Sequence, residues 1–131
     1  MELVNVLAAA LASYIFGALW YLSLARPWMA AAGIEADENG RPVENASLMP
    51  YVIALVCALA VAGMMRHVFA LGGVEGVQKG LVSGLGIGAF LAAPWIATNY
   101  AFAGRPAKLS LIDGGYATFG CGIIGLVLEL F

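Results

Sequence analysis

The sequence predicts an all-α integral membrane protein, a four-helix transmembrane bundle. Three observations predict it. The 131 residues are 63% hydrophobic and only 11% charged, whereas soluble domains run near half apolar and about a quarter charged. Mean hydropathy is +0.93. Four apolar runs each approach the ~20 residues that a helix needs to cross a hydrocarbon layer of roughly 30 Å. The runs are apolar on all sides, so they read as helices and not as the alternating, about ten-residue strands of a barrel. A water-soluble globule would have too few charges to cover its surface, which excludes a soluble enzyme and a disordered tail. Six Lys+Arg against eight Asp+Glu give a net charge of −2, with no basic stripe for nucleic acid.

A single transmembrane domain over 1–131 is expected, with spans at 3–24, 48–71, 80–100 and 111–131. The first span, Leu3–Leu24, carries no charge. Ala30-Ala31-Ala32 imitates a signal-peptide cleavage site. However, no Lys or Arg precedes Leu3 and the apolar run is too long, so the segment reads as a retained span. Pro27 is expected to follow the helix. The connection over 25–47 is the long one: Pro27–Ile34 is apolar and short enough to lie along the interface with Trp28 at headgroup depth, and Glu35–Pro42 reads as a solvated turn. Ser47 offers an N-cap to the second span, Pro50 fits its first turn, and Gly72-Gly73 offers a C-cap. Ser110-x-x-Asp113 matches a capping box for the fourth span. Pro94, inside the third span, removes the bond to the Phe90 carbonyl and predicts a kink or irregular turn there.

Every span carries a seam of small residues. Gly80, Gly84 and Gly88 form a doubled G-x-x-x-G ladder, and Gly17, Gly122 and Gly125 lie on comparable seams. These seams serve either the bundle of one chain or an interface between copies. Cys57 and Cys121 fall mid-span without a metal or disulfide spacing and read as packing residues.

An internal echo links spans one and three: Tyr21-x-x-x-x-Arg26-Pro27 against Tyr100-x-x-x-x-Arg105-Pro106. The two spans run the same way through the membrane, so a duplication would relate two hairpins by an axis along the membrane normal. Convergence is the plainer account, since Tyr, Arg and Pro all suit a helix leaving the membrane. The same residues mark the candidate ligand site. Trp20, Tyr21, Asn99 and Tyr100 sit at matching depth, with Trp95 about one helical turn deeper and Arg26 and Arg105 above them. Asp113 and Tyr116 of the fourth span face them. Together they suggest an aromatic, amide-lined rim for an anionic headgroup or a small amphipathic molecule, and the structural alternative is an ordinary aromatic belt with snorkelling Arg. For Asp113 alone, helix capping is weighed against a proton or substrate site. His67 is the only histidine and reads as a wet interfacial residue. Asn5 and Glu129 receive no role. No catalytic motif, metal set or cofactor loop is present, so no catalytic residue, metal or cofactor is assigned.

The run Phe16-Gly17-Ala18-Leu19-Trp20-Tyr21, then Pro27-Trp28-Met29 and Gly33, resembles the start of small membrane proteins grouped as domain of unknown function 1761. Phe102-x-Gly104-Arg105-Pro106-x-Lys108-Leu109, Ile112-Asp113-Gly114-Gly115-Tyr116 and Gly125 resemble the same family's C-terminal half. The resemblance implies a compact four-span bundle and brings no activity, cofactor or catalytic residue. It also implies that Asn is common at the position of Asp113, against an acid–base role there.

The expected function is therefore a non-enzymatic membrane protein that binds a membrane lipid, small amphipathic ligand or membrane partner protein at this rim, as a homo-oligomer. The alternative is a homo-oligomeric small-solute or ion transporter or channel, and a membrane enzyme ranks third. The expected location is a bacterial inner membrane. Arg26, Arg41, Arg105 and Lys108 against Arg66 and Lys79 put loops one and three in the cytoplasm and both termini outside.

Overall fold

A computed structural model describes residues 2–41 and 47–131; the end of the expected solvated turn, from Pro42, lies outside the described residues. The described chain is all-helical. Its helices are α1 (Glu2–Ser23), α2 (Ala25–Ala32), α3 (Met49–Gly72), α4 (Val77–Ile87), α5 (Ala93–Phe102) and α6 (Ala107–Leu128). One wide π-turn, Gly88–Ala92, joins α4 to α5. Four helical runs are long and apolar enough to cross a membrane: Glu2–Ser23, Met49–Gly72, Val77–Phe102 and Ala107–Leu128.

Local chemistry sets the boundaries. The break between α1 and α2 is slight: the Leu24 N–H still donates to the Trp20 carbonyl at 3.0 Å, and the Trp28 N–H to the Leu24 carbonyl at 2.9 Å. Pro27 thus lies in the first turn of α2, where its missing N–H costs no bond, instead of beyond the helix as expected. Gly33 ends α2 in a left-handed conformation (φ 74°), and the Ile34 N–H returns to the Met29 carbonyl at 2.9 Å. Ser47 Oγ accepts the Met49 N–H at 3.1 Å at the start of α3, and Gly73 caps its end.

The expected capping box of the fourth span does not form. Pro106 occupies the N-cap position of α6 and no side chain caps it. The helix begins earlier than the apolar run, because Ala107 and Lys108 are good helix formers beyond the apolar stretch. Asp113 therefore lies well inside the helix, with its carboxylate free for other partners. Near Pro94 the irregularity takes a definite form: the Ala93 N–H reaches five residues back to the Gly88 carbonyl, so the helix widens before the proline and then continues.

All other elements pack against α6. About half of its apolar window is buried, against 28% for α1 and less for the other two spans. A core of Ala9, Ala10, Ala58, Ala62, Met65, Phe69, Cys121, Ile124 and Leu128 joins α1, α3 and α6. The alanines bring the backbones close enough for Phe69 and Leu128 to be fully enclosed. Cys121 belongs to this core, whereas Cys57 is exposed on α3. The glycine ladder meets α6 of the same chain. A Cβ on Gly80 would strike the Gly125 carbonyl, one on Gly84 the Cys121 carbonyl, and one on Gly88 the Thr118 backbone. Gly122 receives Leu85, and Gly17 receives the Tyr116 ring. The ladder is thus occupied within one chain. Leucines of α1 such as Leu3, Leu11 and Leu22 point outward, as a chain solvated by lipid requires.

Candidate functional site

Asp113 is 8% exposed and gathers three helices around α6. Its Oδ1 accepts the Tyr21 hydroxyl at 2.5 Å and the Trp28 indole N–H at 3.1 Å. Its Oδ2 accepts the Tyr100 hydroxyl at 2.5 Å. The two tyrosines of the sequence echo thus hold the two oxygens of one carboxylate. Beyond them the halves diverge: Arg26-Pro27 lies inside α2, and Arg105-Pro106 leads into α6. All three donors are neutral, and among the described residues no Lys, Arg or His forms an ion pair with Asp113. Such charge-assisted bonds, about 1.5–3 kcal/mol each, offset the roughly 2.5–3.5 kcal/mol of placing an Asp in a span.

An aromatic layer extends this clasp. The Trp20 indole N–H donates to the Ile112 carbonyl at 3.1 Å. Tyr21 lies 5.1 Å from Tyr116 and 6.0 Å, edge-on, from Trp28 between ring centroids. Phe16 stacks on Tyr116 at 6.4 Å. The aromatic faces are therefore spent on one another and on Gly17 and Gly115, whose missing side chains make room for Tyr116 and Trp20.

The two expected rim cations have separate surroundings. Gly104, left-handed at φ 69°, closes α5 with the Arg105 N–H on the Tyr100 carbonyl at 2.9 Å. This turn aims the Arg105 Nη1 at the Ala32 carbonyl, 3.1 Å away, where a cation complements the C-terminal end of α2. Arg26 lines an open cleft of about 310 Å³ between α2 and the turn after it. Met29, Ala30 and Ile34 form the apolar side of the cleft, and Asp37 and Glu38 the acidic side. Trp95 and Asn99 lie apart from Asp113. Trp95 is 64% exposed and lines a shallow outer groove with Phe90, Pro94 and Thr98, and Asn99 is exposed. The expected rim thus divides into a closed clasp (Trp20, Tyr21, Tyr100, Asp113, Tyr116), an open cleft at Arg26, a bridge at Arg105 and two outward-facing residues.

Two features escape the sequence reading. Trp28, expected at headgroup depth, joins the clasp because α1 and α2 are nearly continuous. Tyr21 and Trp28 are seven apart, one helical face, and that spacing is the signal that could have placed them together. The second feature is a polar cluster at the opposite end of the bundle. Glu129 accepts from Arg66 Nη1 at 3.3 Å and from the Gly76 N–H at 3.0 Å. Glu2 approaches Arg66 at 3.9 Å. Asn5, 4% exposed, lies one turn inward of Glu2 on α1, and its Oδ1 has no partner among the described residues. Nothing in the local sequence pairs Arg66 with Glu129, which stand 63 residues apart.

Fold and site together define a four-span helical membrane protein whose last span carries a carboxylate clasp near one end and an ion pair near the other. The chain belongs to the family described as Protein of unknown function (DUF1761), whose pattern matches residues 4–129. It is also similar to one component of the aspartyl/glutamyl-tRNA(Asn/Gln) amidotransferase of Streptomyces avermitilis, its B subunit, at 28% identity over 110 residues, or 78% of this chain and 22% of that protein. The chain thus spans about a fifth of that relative's length. No solved structure matches it.

Proposed function

We propose that this protein binds an amphipathic membrane molecule, a lipid first of all, in the cleft beside Arg26. The observation that carries this reading is the cleft itself. It has about 310 Å³, the low end of the range for small-molecule sites. One wall is apolar and the others carry charge, which matches an acyl region and a headgroup. It lies on α2, at the end of the first span, where headgroups meet water. The clasp supplies rigidity: Trp28 on Asp113 and Arg105 on the Ala32 carbonyl dock α2 at two points, and a site held in place loses less entropy on binding.

Arg26 is the group assigned to the headgroup phosphate, by charge-assisted contact. Arg105 is committed to α2 and acts on the cleft by positioning. In this reading the cleft faces the cytoplasm of a bacterial inner membrane. The glycine ladder is covered by α6, so association between copies would use the outer faces of α1, α3 or α5. A transporter built on that ladder finds no support.

Native mass spectrometry of the full chain after gentle extraction tests the reading. Retained lipid that falls several-fold in Arg26→Gln is expected. Wild-type protein that carries no lipid, or an Arg26→Gln variant that carries as much, would overturn it.

A further inference from the structure

We infer that the cleft selects a dipolar headgroup, a phosphate and a primary ammonium together, over a net anionic one. The inference rests on the lipid reading above and deepens it. Its basis is the charge pattern around one cavity. Arg26 contributes one guanidinium to the lining, and Asp37 and Glu38 contribute two carboxylates. Arg105, the other cation of the rim, is turned to the Ala32 carbonyl at 3.1 Å and is absent from the cleft lining. Arg41 and Glu35, on the same turn, are exposed, lie outside the lining, and offset one another. Among the described residues, a headgroup with only a phosphate would meet one cation and two anions. A headgroup with a phosphate and an ammonium can place the first on Arg26 and the second on the carboxylates.

The acidic side is held in shape. Asp37 Oδ1 accepts the Asn39 and Arg41 N–H groups at 2.9 Å each. The Asp37 N–H reaches the Arg41 carbonyl at 2.7 Å, and the Gly40 N–H the Asp37 carbonyl at 3.0 Å. Gly40, at φ 76°, permits that reversal without strain. Asp37 thus organises the turn, and Glu38, which makes no hydrogen bond among the described residues, is the free carboxylate. Carboxylate oxygens accept N–H bonds, so an ammonium bearing hydrogens fits better than a trimethylated one.

The test offers the purified full chain an equal mixture of phosphatidylethanolamine, phosphatidylcholine and phosphatidylglycerol with identical acyl chains, read by native mass spectrometry. Phosphatidylethanolamine is expected to exceed phosphatidylglycerol by about three- to five-fold, the size of one exposed ion pair. Glu38→Lys, an exposed substitution checked for unchanged helicity, is expected to reverse that order while total lipid persists. Equal retention, a preference for phosphatidylglycerol in the wild type, or an order unmoved by Glu38→Lys overturns the dipolar headgroup and leaves the lipid reading standing. No retention of any lipid removes both. Displacement of bound lipid by soluble glycerophosphoethanolamine would identify a water-borne ligand and overturn the lipid source.

Discussion

Asp113 makes three bonds that no neutral side chain of its size can reproduce. An alanine there leaves two phenols and an indole N–H to find partners near lipid, where water is scarce. Asp113→Ala is expected to lower stability by about 3 kcal/mol, measured by denaturant unfolding in micelles with circular dichroism. Asp113→Asn keeps one oxygen as an acceptor and should lose only about 1 kcal/mol. Equal losses in the two variants would show that the clasp contributes through packing alone. That Asp113 matters is legible in the sequence, since an acid in an apolar run always asks for a partner. Its partners are legible only in part. Tyr21 and Tyr100 stand out through the echo, but Trp28 is hidden by reading Pro27 as a helix stop.

Among elements, the third span and α2 depend on different contacts. The third span leans on α6 backbone to backbone. Gly84→Ala places a methyl against the Cys121 carbonyl, a rigid group, so the helices must separate. Gly86 meets nothing within 4 Å, and alanine there should be neutral or slightly stabilising, since glycine costs about 1 kcal/mol in a helix. Size-exclusion profiles and melting of the two variants give the comparison; equal behaviour would refute the packing role of the ladder. The ladder is plain in the sequence, but its partner is not. Helix α2 hangs on Trp28, Arg105 and the buried Met29. Trp28→Phe keeps the ring and deletes the N–H, so amide hydrogen exchange over 25–32 should rise about ten-fold, matching one lost charge-assisted bond. The π-turn shows how far a sequence rule reaches: Pro94 foretells an irregularity, but its form depends on how Gly88 seats against Thr118.

At the scale of the whole molecule, the charges divide by end. Arg26, Arg41, Arg105 and Lys108 belong to the Asp113 end, and Arg66 and Lys79 to the Glu129 end. The excess predicts that the Asp113 end stays in the cytoplasm. An alkaline phosphatase fused after Phe131 should then be active, and one inserted at Gly40 inactive; the reverse pattern would invert the orientation. The four spans can be counted from composition because hydrocarbon imposes one length on every crossing helix. Their arrangement cannot, because the small-residue seams mark helix-facing stripes without saying which seam meets which.

The packing of every segment against α6 bears on how the protein is made. Synthesis runs from the N-terminus, so α6 emerges from the ribosome after the three spans that pack on it. Until it enters the bilayer, the glycines of α4 have only lipid beside them, and Tyr21, Trp28 and Tyr100 have no common acceptor. Nascent chains interrupted before Ala107 therefore keep the packing of α1 on α3 but leave the glycine ladder and the three donors of the clasp without partners.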